Sequence, residues 1–534
     1  MKKNILTLLS TTIAIGLSTA AFAEESLSKH ILTPPPSPEP RINGAKVFGV
    51  RPGNPFFFKV PATGTGPLNY AAEKLPEGLS IDSKTGVITG KVDQPGTHVV
   101  DLVVSNSLGT ARRPFRIVVG EQICLTPPMG WNSWYECSEG VSAEKIKEVA
   151  DAFVKSGLRD HGWTYINIDD CWQGDRDPKT KALMGNERFP DMKGLCDYVH
   201  ERGLKIGIYS SPWIGTYAGF RGGTSDNPDA ADPKCLPEDK RLQPNQIFGR
   251  QGTKDMGISF FNAPRIGKYW FLDRDFKAMA DWGFDYIKLD WHPNDVPTTE
   301  RMAKELRASG RDIVMSLSNT APIKNAPELS KLAQLWRTGP DIHDSWDSIS
   351  RCFNEFDWVK FQSPGHWNDM DMLQVGMRGR PNLFNAPPKK TNLTPDEQYT
   401  HMSMWCLQSN PLLLSCYVDK LDDFTLSLLT NDEVIEVNQD PAGKQVQRVV
   451  KAENLEVWFK PMEDGSVAVG LFNRGDKEAE IDVTWADLGR QGPQKVRDLW
   501  RQKDLGSHAE SFRSKVNPHG VVLVNVSTAP SGAK

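Results

Sequence analysis

The chain has 534 residues, more than one ordinary domain requires, so about two to four domains are expected. Its apolar fraction of 39% and charged fraction of 24% suit a globular protein with ample core, and a formal net charge of −4 offers no basic field for nucleic acid or anionic membranes. Sixteen tryptophans are a high count, and many flank acidic motifs.

Met1-Lys2-Lys3-Asn4 is a basic start, Ile5–Ala21 is mostly apolar and small, and Ala21-Phe22-Ala23 is an A-x-A cleavage site before Glu24. Residues 1–23 therefore read as a signal peptide, and the expected location is periplasmic or secreted, in a bacterium. A membrane anchor is the alternative, although the run is short and rich in Thr, Ser and Gly. No other segment approaches ~20 uninterrupted apolar residues, so no other membrane span is expected. Export permits disulfides. The eight cysteines are Cys124, Cys137, Cys171, Cys196, Cys235, Cys352, Cys406 and Cys416; none forms a C-x-x-C pair, which argues against a zinc ribbon or thioredoxin-type site. Cys406 and Cys416 lie in apolar runs and read as buried thiols.

Residues 24–40 end in Pro34-Pro35-Pro36-Ser37-Pro38-Glu39-Pro40 and read as an extended linker. From 41 to 120 the chain has short alternating runs: PFFFKV (Pro55–Val60), GVITGKV (Gly86–Val92), HVVDLVVSN (His98–Asn106) and PFRIVVG (Pro114–Gly120). Strands at this spacing, with no helical stretch between them, predict a small β-sandwich. The phrase LPEGLSIDSKTGVITG (Leu75–Gly90) resembles the immunoglobulin-like modules of bacterial surface and secreted glycosidases.

From Leu125 strands alternate with amphipathic helices. Ala143–Ser156 puts Ile146, Val149, Ala150 and Phe153 on one helical face. Strands begin near Met129, Tyr165, Leu204, Tyr286, Ile313, Leu335, His366 and Leu412, and eight strands interleaved with helices predict a (β/α)8 TIM barrel over 125–444. A doubly wound sheet is the rival, but the Gly-rich dinucleotide fingerprint is absent. The stretch Gly222–Pro264 has little periodicity and is expected to rise over the barrel's C-terminal face. Past Gln445 the helices stop. LEVWFK (Leu455–Lys460), SVAVGLFN (Ser466–Asn473), AEIDVTW (Ala479–Trp485), KVRDLW (Lys495–Trp500) and GVVLVNVS (Gly520–Ser527) predict an antiparallel β-sandwich over 445–534.

Four carboxylate-bearing motifs carry the chemistry: YINIDDCW (Tyr165–Trp172), YIKLDW (Tyr286–Trp291), WRTGPDIHDSW (Trp336–Trp346) and HWNDMDM (His366–Met372). Apolar runs leading into Asp place acids at strand ends, where barrel enzymes keep their catalytic groups. The neighbouring tryptophans suggest a face that stacks on sugar rings. Each acid has a plainer reading. Asp290 would equally cap the next helix, and Asp344, beside Ser345, reads as an N-cap. Asp169 and Asp170 would face opposite ways on a continuing strand but reach one ligand where the chain turns. A calcium or magnesium pair is the alternative there, though no EF-hand-like loop is present. Neither metal nor cofactor is expected.

These motifs, with LTPPMGWNSW (Leu125–Trp134), LKIGIY (Leu204–Tyr209) and NDEVIEVNQDPAGKQ (Asn431–Gln445), stand in the order found in glycoside hydrolase family 27, which the chain resembles over 125–444 and more weakly to the end. The resemblance implies a retaining α-galactosidase or α-N-acetylgalactosaminidase. By its motifs Asp290 is the nucleophile and Asp341 the acid/base. Lys288, two residues before Asp290 on the same strand face, would favour its ionisation. Asp169 and Asp170 would bind the outer hydroxyls, including the axial one at C4, and Arg337 the hydroxyl at C2. Trp134, Tyr209, Asp371 and Met372 would line the pocket. Cys137 and Cys171 would form a disulfide, although the spacing after Trp134 is two residues shorter than the family pattern. In MSLSNTAP (Met315–Pro322), Ser318 and Ala321 take positions that are small in α-N-acetylgalactosaminidases and would admit a 2-acetamido group. The other reading has the loop on a different path, with Asn319 filling the gap.

Terminal α-galactose is thus the leading substrate and terminal α-GalNAc the alternative. A β-L-arabinopyranoside is disfavoured by the acid pair, which leaves room for a C6 hydroxymethyl group. A non-catalytic sugar-binding barrel would need neither Asp290 nor Asp341. The expected partner is a carbohydrate, not nucleic acid.

Overall fold

The computed structural model describes residues 27–228, 264–379 and 387–528. The signal segment, Cys235 and most of the stretch from 222 to 264 lie outside the described residues.

Eight short parallel strands form the central sheet: β1 (Met129–Asn132), β2 (Tyr165–Asn167), β3 (Lys205–Ser210), β4 (Tyr286–Asp290), β5 (Val314–Ser318), β6 (Leu335–Arg337), β7 (Trp367–Asp369) and β8 (Leu412–Leu414). Each pairs with its sequence neighbour, β8 pairs with β1, and a parallel bridge between Leu373 and Leu414 closes the ring as a barrel. The strands are nearly continuous buried runs, as a sheet covered on both faces requires. Their starts match the sequence expectation to within one residue.

The barrel has two unlike ends. At the strand starts, Tyr165, Tyr286, Val314, Leu335 and Trp367 pack with Ile123 into an apolar plug. The N-terminal module covers this end. Its sheets (Val47–Val50, Gly109–Val119, Gly96–Asn106, Asn69–Glu73; and Pro55–Lys59, Val87–Lys91, Leu79–Ile81) enclose a core of Phe56, Phe58, Val100, Leu102, Phe115 and Ile117. Arg51 meets Asp312 twice, through its backbone N–H (2.8 Å) and Nη1 (2.9 Å), and Asn54 donates to the same carboxylate at 2.8 Å.

The proline-rich segment is fastened to the protein on both sides, unlike a free spacer. Leu32 N–H donates to the Tyr399 hydroxyl (3.1 Å), which donates to the His30 carbonyl (2.8 Å). Asn431 donates to Thr33 Oγ1 at 3.1 Å, and the Pro38 carbonyl accepts from Thr65 N–H at 2.9 Å. A proline-rich chain is already extended and loses little entropy on docking.

The C-terminal domain has a six-stranded sheet ordered Gln447–Ala452, Leu455–Pro461, Val467–Asn473, Val521–Thr528, Gln494–Asp498, Lys503–His508, faced by the pair Ala479–Thr484 and Ser511–Val516. Trp458, Phe472, Trp500 and Leu523 join the barrel's own core. Between the domains runs the helix Pro395–Leu407, opened by a Thr394/Glu397 capping box. Apart from its first two residues it is buried all round, so it shows no amphipathic stripe.

Because Asp312 satisfies three donors at a mostly dry interface, Asp312→Ala is expected to cost about 1–3 kcal/mol of stability. The far end of the barrel should be untouched, so a lowered melting temperature with an unchanged turnover number is the expected outcome of paired melting and activity measurements.

Candidate active site

The strand ends opposite the module surround one pocket of about 600 Å3. Its lining brings together Trp134, Asp169, Asp170, Tyr209, Lys288, Asp290, Ser318, Arg337, Asp341, Asp371 and Met372, every site residue expected from the sequence apart from the cysteine pair. Tyr135, Tyr217 and Asn319 complete it.

Asp169 follows β2 at the pocket floor. Its Oδ2 takes a salt bridge from Lys288 Nζ (2.8 Å) and a hydrogen bond from Asn132 Nδ2 (2.8 Å). Its backbone N–H donates to Ser133 Oγ at 2.9 Å. Asp170 accepts from Ala218 N–H (3.0 Å) and Cys171 N–H (2.8 Å). The turn that aims both acids inward is made at Cys171, which takes a left-handed φ of 83°. Asp371, past the end of β7, has a similar φ of 81°. Together with Asn319 at φ 63°, these positive φ values at non-glycine positions are strain of the kind that clusters at functional centres.

Asp290 ends β4, and its Oδ2 accepts from the Tyr209 hydroxyl at 3.0 Å. Arg337 ends β6 and spans two acids, Asp371 Oδ2 at 2.9 Å and Asp341 Oδ1 at 3.2 Å. Asp371 also accepts from Ile342 N–H at 2.9 Å, which ties the loop carrying Asp341 to β7. The pocket is graded from floor to mouth: Asp169 and Asp170 are each 2% exposed, whereas the Asp341 side chain is 69% exposed.

Burial pushes the Asp290 carboxyl up to about 6, with Asp169 and Asp341 adding to it and Lys288 opposing. Burial likewise lifts Asp170 to about 6. For Asp341 burial also acts upward, but Arg337 and then Lys288 outweigh it and hold the group below the usual carboxylate range. Lys288 is raised in spite of burial, through Asp169 and Asp290.

Comparison with known proteins agrees with this geometry. The α-galactosidase A family description matches residues 126–236 and 253–440, its C-terminal β-sandwich description matches 452–526, and an Ig-domain description matches 39–120. The chain belongs to the α-galactosidase A family, glycoside hydrolase family 27. It is 34% identical to α-galactosidase 2 of Arabidopsis thaliana over 413 residues, spanning 76% of this chain and 90% of that one. It is 30% identical to an α-N-acetylgalactosaminidase of Gallus gallus, over 75% and 93% of the two chains. A solved Bacteroides fragilis structure, a candidate α-galactosidase/melibiase, superposes with a TM-score of 0.79 at 30% identity, covering 94% of this chain and 100% of that one.

Four expectations drawn from the sequence are corrected by the structure of this family member. Cys137 and Cys171 are both free. Cys171 is fully buried in the barrel core, while the shortened segment after Trp134 leaves Cys137 at the end of the four-residue helix Trp134–Cys137. Asp344 is not the N-cap: Ser345 Oγ accepts from Ser348 N–H instead, and Asp344 pairs with Arg378 at 3.3 Å and with Asn392 N–H at 3.0 Å. Ala321 faces the core, 1% exposed, and its N–H donates to the Arg337 carbonyl at 3.0 Å, so Asn319 occupies the space beside Ser318. Finally, the tryptophans of the acidic motifs are not sugar-facing. Trp172, Trp291, Trp336 and Trp367 are buried to within 1%, Trp346 is half-buried and stacks on His519 with centroids 4.3 Å apart, and of the tryptophans among the described residues Trp134 lines the pocket.

Tyr135 and Tyr217 carried no motif that the sequence reading used. Tyr135 is placed by its hydroxyl donating to the Ile342 carbonyl at 2.7 Å, and Tyr217 by the loop after β3.

The raised Asp290 fixes a pH dependence. Its ionised form is the one able to attack, so kcat/KM should fall as pH drops through about 6. Protonation of Asp170 near the same pH acts in the same direction. A pH profile whose acid limb lies at an ordinary carboxylate value of about 4 would contradict the raised pKa.

Proposed function

We propose that the chain is an exo-acting retaining glycosidase that removes terminal α-linked galactose, with Asp290 as nucleophile and Asp341 as acid/base. The observation that carries this reading is the division of the pocket's carboxylates into three settings. Asp169 and Asp170 are buried at the floor beside Lys288, where acceptors suit the outer hydroxyls of one terminal sugar. Asp290 is held at a strand end by Tyr209, and Asp341 stands exposed at the mouth, where a leaving group would depart.

The chemistry follows in two displacements. Asp290 attacks the anomeric carbon while Asp341 protonates the leaving oxygen, giving a β-linked glycosyl-enzyme; Asp341 then deprotonates a water that releases the sugar. The directions of the two pKa shifts favour a proton on Asp290 over one on Asp341. The productive form is the other tautomer, and the two macroscopic values belong to the pair. A sugar whose C2 hydroxyl engages Arg337 competes for the cation that keeps Asp341 ionised. That exchange raises the proton affinity of Asp341 at the moment it must act as an acid.

Galactose is preferred to N-acetylgalactosamine because Asn319 stands where the small Ser318/Ala321 pair was to leave space. Export through residues 1–23 is part of the proposal, and a mature N-terminus at Glu24 would support it.

Asp290→Ala should abolish turnover with the fold intact. A loss smaller than ~10-fold, about 1.4 kcal/mol of barrier, would remove Asp290 from the nucleophile's role. With azide, Asp341→Asn should yield an α-configured glycosyl azide, since azide then attacks the β-linked intermediate. Side-by-side hydrolysis should favour nitrophenyl α-galactoside over nitrophenyl α-N-acetylgalactosaminide, and the reverse order would sink the substrate choice.

A further inference from the structure

Each oxygen of the Asp290 carboxylate has its own donor. Oδ2 receives the Tyr209 hydroxyl at 3.0 Å, and Oδ1 receives the side-chain amide of Asn319. A carboxylate only accepts, so the atom that Asn319 turns toward it is Nδ2. Tyr217 lines the pocket beside Asn319, and its hydroxyl lies 3.0 Å from Nδ1 of His292. An amide nitrogen has two protons, so one serves Asp290 and the second remains for the Tyr217 side of the pocket.

The His292 ring meets Trp213 edge to face, with centroids 4.9 Å apart. Asn319 itself sits at φ 63°, a left-handed conformation that asparagine tolerates better than most residues. Two residues on, the bond from Ala321 N–H to the Arg337 carbonyl ties this loop to β6.

A carboxylate at the end of a strand rotates freely about its last bond unless both oxygens are held. We propose that Asn319 is a positioning residue for Asp290: its amide, beside Tyr217, fixes the plane of the attacking carboxylate. This rests on reading Asp290 as the nucleophile. Asn319 does not touch the reacting bond, and its effect is exerted through the geometry of Asp290. The groups facing Asp290 are Lys288 on its own strand, Asp169 after β2, Tyr209 and Tyr217 from β3 and its loop, Asn319 after β5, and Asp341 after β6. Among them, Tyr209 and Asn319 donate hydrogen bonds to its oxygens.

Asn319→Gly is the decisive variant, because glycine keeps the left-handed backbone and deletes the amide. Loss of aim is expected to lower kcat/KM for nitrophenyl α-galactoside about 10- to 100-fold. The inhibition constant of galactose should stay within about threefold, since that affinity does not use the plane of Asp290. The acid limb of kcat/KM should move to higher pH, because the ionised carboxylate loses a donor. Tyr217→Phe should act in the same direction by about 3- to 10-fold, and it carries the test if the glycine variant fails to fold. Activity within about threefold of the parent, or an equal loss of galactose affinity, would overturn the positioning role. Asp290→Gly with azide separates this from the parent reading. If no β-galactosyl azide forms, the nucleophile assignment falls; if it forms while Asn319→Gly and Tyr217→Phe remain fully active, only the role of Asn319 falls.

Discussion

Lys288 places one ammonium among the carboxylates of the pocket, 2.8 Å from Asp169 and on the same strand face as Asp290. Arg337 provides a second cation, shared between Asp371 and Asp341. Five acids line the pocket (Asp169, Asp170, Asp290, Asp341 and Asp371) against these two cations. A buried site cannot keep all five ionised at low cost, because each unpaired charge loses its hydration. The strain falls on the members without a cation in contact. Asp170 and Asp290 rise to about 6, while Asp341, beside Arg337, is held down. A neutral sugar relieves this crowding, since its hydroxyls donate to carboxylates and bring no charge.

Strand β4 shows how position decides what a carboxylate does. Asp285, just before the strand begins, is buried at the covered end, where His200 Nε2 lies 2.8 Å away and Arg311 Nη2 2.6 Å away. Burial alone would raise it, yet those partners drive it far below the usual range. Asp290, at the strand's other end, is raised by burial, against which Lys288 pulls while Asp169 and Asp341 add to the rise. One end of the barrel spends its ion pairs on holding its own strands and, through Arg51 and Asp312, the N-terminal module, and the other leaves its carboxylates poised for protonation changes. This is the division between stability and chemistry that a closed parallel barrel imposes.

Much of this was legible beforehand. The eight strands were found because each is a short apolar run between helices with a clear face, and β1, β2, β4, β6 and β8 begin where the apolar runs begin. The acids were found because strand ends and a family's motif order both point at them. What escaped notice had no such pattern. Strands Gln447–Ala452, Lys503–His508 and Ser511–Val516 are partly exposed and polar, so their alternation is weak. The helix Pro395–Leu407 gives no stripe because it is buried on every side. The tryptophans misled, since nearness to an acid in sequence does not set which way a side chain points, and Trp172, Trp291, Trp336 and Trp367 end in the core.

The sequence by itself determined the strand order, the three-domain plan, the family and the identity of the acids, all of which are written in local apolar runs and short motifs. Tertiary structure decided which cation serves which acid, that the proline-rich segment is a docked strap, that two expected partners are free thiols, and that Asn319 rather than Ala321 meets the pocket. These outcomes depend on where side chains from β2 to β7 converge, on burial that shifts one aspartate up and another down, and on single left-handed residues that turn the chain at a strand end. Distance between groups far apart in sequence sets each of them, and no local pattern records it.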